Sequence, residues 1–280
     1  MPIKVYRTNR AARKRASHVD RFGLHRGKSY RQLTVAKTRI SGRGSAGKIT
    51  IRHRGGGAKR NFRLVDFGQE KQGIPARIER IEYDPNRSGF IVLLKYADGE
   101  RRYRLAWHGA QVGDTLVTDD KALETIGNRM QLKHITPGTQ VFNVELKPGR
   151  GGVLFRAAGS YATIMDVKGA HALLKLPSGE LRQVPQGGFG SIGQVSNSDH
   201  RLVKIGSAGR KRRRGWRPSV RGKAMNAVDH PHGGGEGLQP IGLKRPKTKW
   251  GKPALGVKTR RAGKYSQALI VARRLPKKRK

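Results

Sequence analysis

The sequence predicts a mainly β protein, with two small barrels in tandem and long basic, largely irregular extensions at both ends. Three observations lead there. Short apolar or alternating segments recur through the middle of the chain, separated by Gly, Pro and Asp turns at intervals of about 8 to 12 residues. Helical periodicity is almost absent from that region. Charge is segregated: residues 1–63 hold 19 Lys and Arg against one acid, residues 64–205 hold 19 against 15, and residues 206–280 hold 23 against two. The ends therefore carry +18 and +21 and the middle only +4, within a net charge of +43. We divide the chain into a basic N-terminal extension (1–60), a first barrel (61–125), a second barrel (126–200) and a basic C-terminal extension (201–280).

Few partners other than nucleic acid match such a balance. The absence of cysteine excludes disulfides and thiolate metal ligands. No apolar run approaches the roughly 18 residues of a membrane span, and the N-terminus lacks the apolar core of a secretory signal. The expectation is a soluble intracellular protein with no membrane partner.

The N-terminal arm, Met1 to about Gly44, scatters cations among small residues with Val5, Tyr6, Phe22 and Leu24 as anchors, and predicts an extended chain lying on a partner. A short alternating strand over Lys48–Ile51 then runs into Gly55-Gly56-Gly57, flanked by His53, Arg54, Lys59 and Arg60. Glycine lets backbone N–H groups approach phosphates while the cations neutralise them. The alternative is a plain hinge. Strands are expected at Asn61–Phe67, Ala76–Tyr83, Gly89–Tyr96, Arg101–Ala106 and Asp114–Thr118, with a hairpin at Asp98-Gly99. Five short strands suggest a closed barrel of the oligonucleotide-binding (OB) type. The stretch Asp119–Asn128 reads as a linker with the one plausible helical turn of this region.

A second series follows at Met130–Ile135, Val141–Leu146, Tyr161–Val167, Ala170–Leu176 and Leu181–Val184. Arg150 and Arg156 accompany its glycine loops and join the candidate RNA contacts. So do Arg210, Lys211, Arg212, Arg213 and Arg214, a run of five cations. That run alone fits a localisation signal or a solvated face equally well. Its continuation through Trp216, Arg217, Arg221 and Lys223 offers stacking and phosphate forks together, the mixture expected where a chain threads RNA.

The loop from Ala224 to Gly237 contains Asp229, His230 and His232 before three glycines. It admits a nucleophile set with Ser219, a metal site on the two histidines and Asp229, or a tight loop whose histidines hydrogen-bond RNA. Ser219 sits on a basic segment without a strand-turn-helix elbow, and a closed zinc site generally needs four protein ligands. The RNA reading is favoured, with no catalytic and no metal-binding residue expected.

At 221–237 the run Arg-Gly-Lys-Ala-Met-Asn-Ala-Val-Asp-His-Pro-His-Gly-Gly-Gly-Glu-Gly resembles the signature of the L-two family of large-subunit ribosomal proteins, bacterial and organellar type. Arg52–Gly57, Ile81–Arg87, Tyr96–Tyr103, Leu146–Gly152, Leu176–Glu180 and Ile192–Val195 match it in order. Residues 1–37, the tail after Gly237 and Ala106-Trp107-His108-Gly109, which lacks the usual Ala-Pro opening, depart from the pattern. The resemblance implies an OB fold followed by an SH3-like barrel. It implies a structural constituent of the large subunit and primary rRNA binder, in the cytoplasmic or an organellar ribosome. It further implies contact with small-subunit rRNA and neighbouring ribosomal proteins, support of subunit association and tRNA binding, and a place near the peptidyl transferase centre. There His230 would be a positioning residue, with catalysis by RNA. No cofactor is expected beyond magnesium held by the rRNA. An acyl-transfer enzyme using Asp229 and His230, and a free-standing RNA chaperone, are the alternatives.

Overall fold

The computed structural model describes residues 3–6, 16–38, 41–237, 239–261 and 263–274. The expectations for the arm at 7–15 and the tail at 275–280 lie outside them. The chain divides into two compact units. Met1–Thr38, Lys59–Ala208 and Ala268–Lys280 make the first, and Arg39–Ala58 with Gly209–Gln267 the second.

The first unit is built from strands and 3-10 turns. Its arm contributes β1 (Ile3–Val5) paired with β2 (Ser17–Val19), and β3 (Thr34–Ala36) paired with β4 (Asn61–Arg63). An antiparallel four-stranded sheet follows, made of β5 (Ala76–Glu82), β6 (Ile91–Tyr96), β7 (Arg101–Leu105) and β8 (Thr115–Leu116) in the order β7-β6-β5-β8. The uninterrupted apolar run Ile91-Val92-Leu93-Leu94 in β6 tells why the arm is where it is. Successive strand side chains point to opposite faces, so such a run needs cover on both. Val92 and Leu94 enter a core with Ile78, Phe90, Tyr96, Leu105 and Leu116. Ile91 and Leu93 enter a second cluster with Tyr103, which Tyr30, Leu33 and Val65 cover. Each of the four is fully buried and contributes about 1.5–3 kcal/mol relative to exposure. The arm is thus an organised lid on the first sheet.

A seven-stranded antiparallel sheet forms the second barrel. It comprises β9 (Arg129–Gln131), β10 (Gln140–Phe142), β13 (Ala162–Lys168), β14 (His171–Lys175), β15 (Leu181–Pro185), β16 (Phe189–Ile192) and β17 (Ile270–Ala272). A separate pair joins β11 (Val144–Glu145) to β12 (Gly152–Leu154). Met130, Leu132, Val141, Ile164, Ala172, Leu174 and Val184 close its core. The architecture is mainly β, two curled sheets in tandem, as the spacing of turns predicts. Within the second barrel the buried Arg129 guanidinium, on β9, donates to the Glu145 carboxylate of β11 and to the Asn143 carbonyl, each at 2.7 Å.

Several expected elements differ. The strand from Asn61 ends at Arg63, because β4 pairs with the arm, and Val65 makes only an isolated bridge to Tyr103. The strand from Met130 stops at Gln131. Leu132–His134 is a 3-10 turn there, since the Leu132 and Lys133 amides donate to Gly188 and Gln186. Asn143, at φ +49°, breaks the Val141–Leu146 strand into β10 and β11. No helical turn forms in 119–128, where the Asp119 amide donates to the Arg129 carbonyl instead. Ile49 and Ile51 are each 59% exposed, so the Lys48–Ile51 alternation has no face to bury and makes one bridge, Arg43 to Ile49.

Candidate nucleic-acid interface

Residues 39–58 and 209–267 contain 22 Lys and Arg against two acids, Asp229 and Glu236. Among the described residues of this second unit only Ser266 is buried. An apolar core is therefore not what organises it. Backbone hydrogen bonds and close glycine contacts are.

The triple-glycine loop and the cationic run, more than 150 residues apart in sequence, lie side by side. The Arg217 amide donates to the His53 carbonyl at 3.0 Å, Gly55 N–H to Gly215 at 3.0 Å, and Ala58 N–H to Arg213 at 2.9 Å. The Arg54 guanidinium stacks 3.4 Å from the Trp216 ring centroid, a cation–π contact that orients both groups. Glycine lets the backbones come this close: a Cβ on Gly57 would stand 3.1 Å from the Gly215 backbone, tighter than an ordinary contact by a few tenths of an ångström. The run itself forms the only α-helix among the described residues, α1 (Ala208–Arg213). It ends because Gly215 takes φ +90° and donates to the Arg212 carbonyl, the glycine C-terminal stop of many helices. Within the run Lys211, Arg213 and Arg214 are exposed, while Arg210 and Arg212 are half-buried. Lys211, Arg212, Arg213, Arg214, Arg217 and Arg221 form no ion pair among the described residues. An unneutralised cluster of this kind is an electrostatic footprint for polyanions.

The histidine loop is a second ordered piece. A 3-10 turn over Gly222–Ala224 includes Lys223, which is half-buried. His230 lies on Gly222, where a Cβ would sit 2.6 Å from the ring. The Asp229 amide and the Gly233 amide close turns onto Asn226 and His230. The His230 Nδ1 accepts the His232 amide at 3.0 Å, and the His232 Nε2 accepts the Lys247 amide at 2.8 Å. Since each of these nitrogens accepts, the ring protons reside on His230 Nε2 and His232 Nδ1. The rings lie 4.7 Å apart at 58°. Partial burial, then the charges of His230 and Lys247, lower the His232 pKa from its usual value.

The remaining candidates belong to the first unit. Lys59 is exposed, while the Arg60 guanidinium donates to the Pro85 carbonyl at 2.8 Å. Arg150 is exposed on the turn that follows Lys147, and Arg156 is exposed with its guanidinium 4.4 Å from the Phe67 ring centroid. Lys247 and Trp250 were not singled out from the sequence. The former latches the histidine loop through its amide, a role no side-chain pattern announces. The latter is 71% exposed with the Lys249 ammonium 5.0 Å from its ring, and the run Lys249-Trp250-Gly251-Lys252 carries the same cation-aromatic mixture as Trp216 and Arg217.

Residues 30–118 match the family model described as Ribosomal Proteins L2, RNA binding N-terminal domain. Residues 125–251 match Ribosomal Proteins L2, C-terminal domain. The first match takes in the four-stranded sheet and part of the arm. The second takes in most of the seven-stranded sheet, the cationic run and the histidine loop.

Proposed function

The chain belongs to the ribosomal L2 family, and from that premise we propose that its second unit takes its final form against large-subunit rRNA. A structural, RNA-binding role in the large ribosomal subunit comes with the family. The observation that carries the proposal is the pairing of 53–58 with 213–217 in a unit with 22 cations, two acids and a single buried described residue. A segment so built lacks the apolar burial that offsets ordering entropy, and phosphates supply what it lacks.

In this reading Arg213, Arg214, Arg217 and Arg221 grip phosphates, and Arg54 and Trp216 hold the two strands of the grip together; Lys59, Arg60, Arg150 and Arg156, on the first unit, make rRNA contacts of their own. The protein organises large-subunit rRNA, supports association with the small subunit and tRNA binding, and approaches the peptidyl transferase centre. It is not itself the catalyst, and magnesium there belongs to the rRNA. The protonation of His230 supports this division. With Nδ1 occupied by the His232 amide, Nε2 carries a proton and can donate to RNA, whereas a general base needs a nitrogen that accepts.

The test compares affinity for large-subunit rRNA with that for an unrelated RNA of equal length across salt concentrations. The full chain should keep its preference at high salt. Replacing Arg213, Arg214 and Arg217 by alanine should flatten the plot of log affinity against log salt by about 0.7–0.9 per lost phosphate contact. An unchanged slope would show these side chains to be solvated.

A further inference from the structure

The chain has three tryptophans, and each stands in a different setting. Trp107 is 6% exposed and packs in the core of the first sheet. Trp216 has the Arg54 guanidinium 3.4 Å from its ring centroid. Trp250 is 71% exposed and enters none of the apolar clusters formed by the described residues.

The backbone around Trp250 is nevertheless an ordered hairpin. Lys247 and Pro253 form an antiparallel bridge, and the Ala254 amide donates to the Pro246 carbonyl at 2.7 Å. The Thr248 amide donates to the Lys252 carbonyl at 2.8 Å and the Gly251 amide to the Thr248 carbonyl at 2.9 Å, which closes a tight loop over 249–251. Gly251 takes φ +75°, the left-handed backbone that a three-residue hairpin loop needs at its end. Trp250 is the middle residue of that loop. The base of the hairpin is anchored in turn, because the Lys247 amide donates to His232 Nε2 at 2.8 Å. Turns favour Gly, Pro, Asn, Asp and Ser, so the indole is not there for the sake of the turn.

The same hairpin carries Lys247, Lys249 and Lys252, all exposed and without an ion pair among the described residues. A partner for this tip must take a flat apolar ring and positive charge together. An apolar protein groove accepts the ring but strands the lysines without counter-charge. A nucleic acid strand accepts both, offering a base face to the indole and phosphates to the ammonium groups. Bases inside a duplex have no open face, so the base must be unpaired. We propose that the hairpin at 246–254 presents Trp250 to a single unpaired nucleobase of the large-subunit rRNA, on which the indole stacks. The proposal rests on the rRNA-binding reading above and adds a base-stacking contact to the phosphate grip of the same unit.

The full chain bound to large-subunit rRNA tests it by two measurements. Ultraviolet crosslinking read by mass spectrometry should join one nucleotide to Trp250. Trp250→Ala should lower affinity about tenfold, the size of one lost base–aromatic stack. The slope of log affinity against log salt should stay unchanged, because no phosphate contact is removed. Trp250→Phe keeps an aromatic face and should bind within about threefold of the parent, whereas Trp250→Leu, apolar without that face, should bind as weakly as the alanine variant. Parental affinity in Trp250→Ala with no nucleotide on Trp250 overturns the stacking and leaves the rRNA reading standing. Recovery by leucine as complete as by phenylalanine overturns it as well, and gives the tip to an apolar protein surface. Loss of the parent protein's preference for large-subunit rRNA over an unrelated RNA overturns both.

Discussion

At the residue scale the histidine loop is held by which atoms accept. His230 Nδ1 and His232 Nε2 each take a backbone N–H, so protonation of either nitrogen removes a bond. The His232 pKa is lowered in the folded loop, so the open loop binds the proton more readily. The loop is then fully stabilised above the ordinary histidine value of about 6.5 and weakens as pH falls through the lowered one. The Lys247 amide proton resonance should shift towards its unbonded position in step with His232 titration. A constant shift from neutral pH down to acid would contradict the latch. Gly222 is the matching steric requirement. Gly222→Ala would place a Cβ 2.6 Å from the His230 ring and push it aside. The expected outcome is loss of the His230–His232 bond, read from ring and amide chemical shifts, with the melting temperature of the first unit unchanged.

At the element scale two devices stand out, a glycine where backbones cross and a buried ion pair inside the second barrel. Gly57→Ala would crowd the Gly215 backbone at 3.1 Å and should loosen the pairing of 53–58 with it, whereas Ala58→Ser, at an exposed neighbour, should not. The first should weaken rRNA binding and the second leave it unchanged, measured by filter binding at one salt concentration. Equal affinities would separate the loop pairing from RNA recognition. Arg129 and Glu145 are 0% and 2% exposed at the side chain, and no solvent compensates either alone. Burial lowers the Arg129 pKa, and the Glu145 carboxylate opposes that shift. Arg129→Ala would strand the carboxylate and should cost about 3–5 kcal/mol in denaturant unfolding of the first unit.

At the scale of the whole molecule the two units are stabilised in different ways. The first buries apolar side chains in three clusters and holds ion pairs such as Arg129–Glu145 and Arg87–Asp84. The second pairs backbone to backbone under a large excess of like charge, which self-repulsion opposes until counter-charges arrive. Hydrogen exchange of the free full chain should therefore show slow amides in β5, β6, β13 and β14 and fast ones in 53–58 and 213–217, with protection appearing there on rRNA. Slow exchange at 213–217 without RNA would mean that the unit is self-sufficient.

The breaks at Asn143 and Leu132 and the lack of a strand at Lys48–Ile51 were not legible in the sequence. Most of the period-two segments, the turns between them and the segregation of charge were, and with them the β class, the tandem sheets and a polyanionic partner. These follow from local chemistry, since side chains alternate along a strand and like charges repel wherever they lie. The family signature at 221–237 was legible as well. Tertiary structure alone decided that Tyr30 and Leu33 of the arm cover Ile91 and Leu93, and that Gly57 meets Gly215. It alone decided that Lys247 latches His232. Each of these joins residues far apart in the chain through a backbone amide, a missing Cβ or one face of a strand. None of the three marks, in the sequence around it, which distant residue it will meet.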